Sequence, residues 1–193
     1  MRVLGISGSL RRDSLNRALL RAAAERLPAG AELVEFEHLR EIPPYDADDE
    51  LAGTPDAVAE LREAIRGADA VLVTTPEYNH SIPGVLKNAL DWASRPAGRS
   101  ALNGKPAAAI GASTGMFGAV WAQAETRKVL GALGGRVVET ELPVARADMQ
   151  LVDGHLELEP QQAELLEELL AELIASAEEA EEAEEARREP IAA

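Results

Sequence analysis

Three short stretches of this chain gather side chains that could do chemistry. The first runs Ser7-Gly8-Ser9-Leu10-Arg11-Arg12-Asp13-Ser14-Leu15-Asn16. It offers the Ser9 and Ser14 hydroxyls, the Asn16 amide and the Arg11 guanidinium close together. Small residues let the backbone approach an anion, arginine supplies a planar charged fork, and a helix N-terminus adds free N–H groups. A phosphate monoester is the natural guest. Ser14 fits a second role equally, as the N-cap of the following helix, and Asp13 is ill suited to lie beside a phosphate. The second stretch, 74–92, contains Pro76-Glu77-Tyr78-Asn79-His80 and then Pro83. Two prolines restrict the loop in the unfolded state and favour one shape. The third stretch, Gly111-Ala112-Ser113-Thr114-Gly115-Met116-Phe117-Gly118, carries glycines that permit close backbone approach to a flat ligand.

The elements that must position these loops alternate strand and helix. Apolar runs predict strands over 2–7, 32–36, 68–75, 105–112 and 136–142. Helical spacing of apolar residues predicts helices over 14–27, 56–66, 83–94, 118–133 and 160–176, bounded by proline and glycine signals such as Pro28-Ala29-Gly30 and Gly134-Gly135. Residues 42–54, with Pro43-Pro44 and several Asp, are expected to be loop. No internal repeat is present. Five strands separated by helices imply a parallel sheet covered on both faces, joined by right-handed crossovers. Neither the G-x-G-x-x-G fingerprint nor the P-loop pattern follows the first strand. The three loops follow strands one, three and four. In the order 2-1-3-4-5 those loops border the switch point, where doubly wound sheets bind ligands at the carboxyl ends of their strands. The fold class expected is therefore α/β, flavodoxin-like, with five parallel strands in that order.

Composition narrows the function classes. A chain of 193 residues, 46% of them hydrophobic, fits one domain with a substantial core. Cysteine is absent, which removes disulfides, thiolate metal sites and cysteine nucleophiles. The formal charge of −15 argues against a nucleic-acid partner, which needs a basic face. No apolar run reaches the ~20 residues of a membrane span, and the N-terminus lacks a signal peptide's apolar segment. The expectation is a cytoplasmic protein with no membrane partner. The domain is expected to occupy residues 1–176. The acidic stretch 177–193, poor in apolar residues after Ile174, is expected to be a disordered or frayed helical tail. His38, His155 and the acidic groups Asp48-Asp49-Glu50 and Glu167-Glu168 read as solvated surface, with no metal site.

The motifs Gly8-Ser9-Leu10-Arg11-x-x-Ser14-x-Asn16, Thr75-Pro76-Glu77-Tyr78-Asn79-His80-Ser81-x-Pro83-Gly84-x-Leu86-Lys87-Asn88-x-x-Asp91-Trp92 and Ser113-x-Gly115 resemble the NADPH-dependent FMN reductase family over residues 2–174. That family includes quinone, azo-dye and chromate reductases. The resemblance implies FMN as cofactor and NADPH or NADH as co-substrate. A hydride passes to flavin N5 and then to a quinone, free flavin, azo compound or similar small-molecule acceptor. It implies that the first loop (Ser9, Arg11, Ser14, Asn16) holds the FMN phosphate and that Pro76, Glu77, Tyr78, Asn79 and His80 lie along the isoalloxazine. Ser113 and Gly115 border the ring. It further implies a homodimer or homotetramer using the helix after Pro83. Because the cofactor carries the hard step, no side chain is nominated as catalytic. Tyr78 fits a flavin contact or packing on its own helix; His80 fits a proton donor to a quinone or a surface group. The family's third loop often reads G-G-x-R-x-Q, whereas residues 118–123 are Gly-Ala-Val-Trp-Ala-Gln, and Thr114 stands where related proteins often carry proline. The alternative function is an FMN-binding electron carrier or regulatory flavoprotein without nicotinamide turnover.

Overall fold

The computed structural model describes residues 1–188. Three strands form the buried centre of the sheet: β1 (Arg2–Ser7), β3 (Ala70–Thr74) and β4 (Pro106–Ala112), where every residue except Arg2 is buried. Strands covered on both faces must be apolar along their whole length, which is why Ala-Val-Leu-Val-Thr and Pro-Ala-Ala-Ala-Ile-Gly-Ala read as runs rather than alternations. β2 (Glu32–Glu35) lies on the edge and is only partly covered. With β5 (Arg136–Val137) at the other edge, the order is β2-β1-β3-β4-β5, parallel throughout, with Val3 opposite both Leu33 and Ala70, and Val71 opposite Ala107. This is the doubly wound arrangement expected from the sequence.

Helices α1 (Leu15–Ala24) and α6 (Pro160–Arg188) cover one face of the sheet, with Leu19, Leu20, Leu166, Leu169 and Leu173 fully buried. Helices α3 (Asp56–Arg66), α4 (Gly84–Ala93) and α5 (Val120–Ala132) cover the other, through Val58, Leu61, Leu86, Leu90 and Leu130. Burying side chains of this size yields roughly 1.5–3 kcal/mol each relative to exposure.

The structure departs from the sequence reading in four places. The fifth strand is not one run over 136–142. β5 (Arg136–Val137) pairs with Pro106–Ala107, and β6 (Pro143–Val144) pairs with Gly111–Ala112. Between them the chain is drawn toward α5: Leu142 N donates to Gln123 Oε1 at 3.1 Å, and Arg127 pairs with Glu139 and Glu141. A short helix, α2 (Ala47–Ala52), forms in the expected loop. Asp46 caps it by accepting from Asp48 N at 2.7 Å, and three acidic residues in its first turn suit the helix dipole. It is anchored at Glu50, which takes the Arg95 guanidinium at 2.7 Å and the Tyr45 hydroxyl at 2.9 Å. The Arg95 hydrogen bond in particular holds the Glu50 carboxyl below its usual range. Two further strands, β7 (Leu151–Val152) and β8 (His155–Leu156), make a hairpin over Asp153 and Gly154, both with positive φ. Finally, α6 does not stop at residue 176 but continues to Arg188. Ala177 is buried on the line of its apolar face, Glu179 pairs with Arg136 at 2.8 Å, and Ala and Glu are good helix formers. The last five residues of the expected tail, 189–193, lie outside the described residues.

Candidate functional site

Because β1, β3 and β4 are adjacent and parallel, the three loops that leave their carboxyl ends meet at one edge of the sheet. Gly8 N donates to Thr74 O at 2.8 Å and Thr75 N to Ile110 O at 2.9 Å, so the pairing extends into the loop bases. Space is tight at Gly8, where an added Cβ would lie 2.9 Å from Leu86 Cδ2 and 3.3 Å from Thr74 O. Glycine is required at Gly118, where φ is +58° and a Cβ would meet Pro143 C at 2.5 Å.

A cavity of about 140 Å³ opens where the loops converge. Eight of the eleven residues singled out from the sequence line it: Ser9, Arg11, Ser14 and Asn16 from the first loop, Pro76, Glu77 and Tyr78 from the second, and Ser113 from the third. Leu15, Ala112 and Thr114 complete the wall.

The first-loop groups divide by role. The Ser14 hydroxyl accepts from Arg17 N at 3.2 Å and so caps α1. As an acceptor it keeps its own O–H to donate, so capping and anion binding are compatible. Ser9 Oγ accepts a long contact from Arg11 N at 3.4 Å and keeps its proton likewise. The Arg11 guanidinium is exposed and has no hydrogen-bond or ion-pair partner among the described residues. Asn16 is buried and its amide is engaged elsewhere: Nδ2 donates to Ala112 O at 2.9 Å, and Oδ1 accepts from Ala112 N at 3.0 Å. It therefore locks the first turn of α1 onto the end of β4.

The second loop is a tight hairpin turn. Tyr78 and Ser81 exchange backbone hydrogen bonds at 3.0 and 3.2 Å, and the two residues between them, Asn79 and His80, have φ of +53° and +62°. Two successive positive φ values mark a type I′ turn, which Asn favours and His tolerates at a cost. Asn79 and His80 sit at its tip, outside the cavity wall. His80 is mostly exposed, packs edge-on against the Trp121 ring at 4.8 Å, and lies 3.6 Å from Glu77 Oε1. The Glu77 carboxylate is well covered; its Oε2 accepts from Trp121 N at 3.1 Å and Ala122 N at 3.3 Å, satisfying free donors at the start of α5. Glu77 thus fastens the second loop to the third.

In the third loop Ser113 lines the cavity, while Gly115 lies beyond its wall, held through its carbonyl by Arg146 N at 3.0 Å. An apolar rim missed in the sequence borders the site. Met116, Phe117 and Trp121 are 65%, 55% and 41% exposed, Tyr78 is 50% exposed, and the Phe117 and Trp121 rings meet edge-on at 4.9 Å. The signal was present as three large apolar residues in and after a glycine loop. A larger cavity, about 600 Å³, lies at the opposite end of the sheet between α6 and Asp69, Asn103 and Arg136; none of the eleven residues reaches it. Among the described residues no three His, Asp or Glu side chains converge on a metal position, and no helix is long and apolar enough to cross a membrane.

The sequence profile of the NADPH-dependent FMN reductases matches residues 1–148, which include all three loops. The chain is a member of the NADPH-dependent FMN reductase family. Relatives of this reductase include an NAD(P)H-dependent FMN reductase of Pseudomonas aeruginosa, 51% identical over 67% of this chain and 69% of that one. A 2-hydroxy-1,4-benzoquinone reductase of a Burkholderia species is 43% identical over the same shares, 67% and 69%. Among solved structures, the FMN reductase fold seen here matches the flavoenzyme NAD(P)H:(acceptor) oxidoreductase FerB of Paracoccus denitrificans. That match has 36% identity and a TM-score of 0.80, and covers 93% of this chain and 98% of that one.

Proposed function

We propose that this chain is an FMN-dependent NAD(P)H oxidoreductase that reduces quinones and similar small-molecule acceptors. The observation that carries this reading is the cavity where the loops from the carboxyl ends of β1, β3 and β4 converge, with the Arg11 guanidinium, unpaired among the described residues, before the N-terminus of α1. The relatives named as FMN and quinone reductases support it.

The residues present fit FMN. Arg11, the Ser9 and Ser14 hydroxyls and the first free N–H groups of α1 would be the phosphate ligands, each able to donate a hydrogen bond to a phosphate oxygen. Pro76, Glu77 and Tyr78 from the second loop and Ser113 from the third line the same cavity and would flank the flat ring. Asn79, His80 and Gly115 are its more distant neighbours. Bound FMN supplies the redox step, taking reducing equivalents from NADPH or NADH and giving them to the acceptor. The chain's own contribution is to fix the phosphate, to present small and flat surfaces to the ring, and to leave one side open for exchange of substrates. Asn16 acts through position, by holding α1 to β4.

The unit that does this is residues 1–176, with the acidic extension outside the site. It works as a cytoplasmic homodimer. The exposed rim of Phe117, Trp121 and Val85, at 55%, 41% and 36%, supplies an apolar face beside α4 and the ring position. Purified protein is expected to keep a flavin absorption spectrum through desalting, or to regain it on addition of FMN. That absorbance is expected to bleach when NADPH or NADH is added without oxygen. A protein unable to take up FMN would overturn the reading.

A further inference from the structure

A second cavity, of about 340 Å³, lies on the β2 side of the first loop. It shares Ser9 and Arg11 with the flavin cavity, but its remaining wall comes from Ser7, Leu10, Arg12, Arg17 and residues 36, 37 and 39–41 after β2. Four arginines line it, Arg11, Arg12, Arg17 and Arg40, against Glu37 and Glu41 in its wall and Glu35 paired to Arg17. That is a local excess of positive charge in a chain with 19 basic and 34 acidic residues. Such an excess in a concave site focuses attraction on an anion.

The partners of these groups sharpen the picture. Arg17 is paired with Glu35 at 2.6 Å, and Arg40 Nη2 donates to Leu10 O at 2.8 Å, which leaves most of its N–H groups for another acceptor. Arg12, like Arg11, has no hydrogen-bond or ion-pair partner among the described residues. Glu41 is already engaged by His38 Nδ1 at 3.0 Å. An independent sign comes from Ser7. Ser7 is one of the residues lining this cavity, it is only 5% exposed, and its buried Oγ makes no hydrogen bond among the described residues. Buried hydroxyls are nearly always paired, so an unpaired one on a residue at a cationic cavity points to a missing acceptor. Leu10, Phe36 and Leu39 add an apolar floor to the polar rim. An apolar surface with a few convergent charges is the usual make-up of a nucleotide pocket.

We propose that this cavity is a second anion site, taking a phosphate monoester dianion through Arg12, Arg40 and the Ser7 hydroxyl. On the reductase reading above, on which this step rests, the monoester at hand is the 2′-phosphate of NADPH, which NADH lacks. Free inorganic phosphate is the other source of the same chemistry.

The test uses FMN-saturated protein, so that the first-loop site is filled, titrated in a calorimeter with 2′,5′-ADP, 5′-AMP and inorganic phosphate. The expected result is that 2′,5′-ADP binds about tenfold or more tightly than 5′-AMP, the discrimination given by one charge-assisted contact. Arg12→Gln and Ser7→Ala should each remove much of that difference. Because Ser7→Ala deletes only an unpaired hydroxyl, it should fold with undiminished thermal stability. If inorganic phosphate binds and is lost in Arg12→Gln while the two nucleotides bind alike, the anion site stands and its NADPH assignment falls. Equal binding of all three probes by wild type and both variants overturns the site itself. Failure of the reductase reading is a separate result, the absence of NADH as well as NADPH oxidation by the FMN-loaded wild type.

Discussion

Arg11→Ala is expected to weaken FMN binding by about 10- to 100-fold, the loss of one charge-assisted phosphate contact worth ~1.5–3 kcal/mol. Arg11 is exposed, lines the cavity, and its guanidinium has no hydrogen-bond or ion-pair partner among the described residues, so removing it breaks no such contact there. The neighbouring groups are poorer probes. Ser14→Ala also removes the cap of α1, itself worth ~1 kcal/mol, and Asn16→Ala breaks two buried hydrogen bonds to Ala112. Each of those would mix folding with ligand binding. A fluorescence titration of the apoprotein with FMN reads the effect of Arg11→Ala directly, and thermal unfolding of the apoprotein should be within about 0.5 kcal/mol of wild type, as for other exposed substitutions. An unchanged FMN affinity would remove the first loop from the phosphate site.

Trp92→Ala is expected to cost about 3–5 kcal/mol of stability, the usual range for deleting a buried aromatic side chain. Trp92 is fully buried and joins several elements at once. Its Nε1 donates to Pro43 O at 2.9 Å, its ring meets Tyr45 edge-on at 4.9 Å, and the Arg62 guanidinium lies 5.9 Å above it. Arg62 Nε in turn donates to the Trp92 carbonyl at 3.1 Å, tying α3 to α4. The truncation would leave a cavity, strip the Arg62 charge of its aromatic neighbour, and loosen α4 beneath the second loop. In a chain of this size the cost corresponds to a fall in Tm of roughly 6–20 °C. Trp92→Phe keeps most of the packing and loses chiefly the indole hydrogen bond. Pro43 O still receives Asn88 Nδ2 at 2.8 Å, so this variant should lose only about 1 kcal/mol more than its volume change requires. Equal Tm values for Trp92→Ala and wild type would mean that this cluster does not hold α4.

Much of the fold was readable in the residues because its centre is made of two-sided strands. Ala70–Val73 and Pro106–Ala112 are apolar throughout, and Ser14 and Gly134-Gly135 stand beside the helices they bound, which sets the element order and with it the strand order. What was not readable depends on contacts between distant residues. α2 buries nothing of its own and is anchored by Arg95, some 45 positions away. The break between β5 and β6 follows from Gln123 and Arg127 on α5, and the extension of α6 from Ala177 meeting the sheet layer. The hairpin at Asp153-Gly154 carried a local signal, since Asp-Gly between β-forming residues favours a type I′ turn.

The site follows the same division. Residue types placed eight of eleven positions on one cavity wall, because loops after adjacent parallel strands cannot avoid one another. Side-chain engagement was invisible in sequence: the carboxylate of Glu77 is turned to α5, the amide of Asn16 to β4, and Asn79 and His80 occupy a turn tip. The arginine cavity was hidden for a similar reason, since Arg40 reaches the first loop from about 30 residues away.

The most direct test of the reductase account is NADPH oxidation by FMN-saturated protein with 1,4-benzoquinone as acceptor, compared with the same concentration of free FMN. The account predicts saturable turnover far above the free-flavin rate, at about 1–1,000 per second like most enzymes. It also predicts that turnover falls in Arg11→Ala at limiting FMN and recovers when FMN is raised. A rate no greater than free FMN, in protein that still holds its flavin, would contradict the account and leave an FMN-binding carrier in its place.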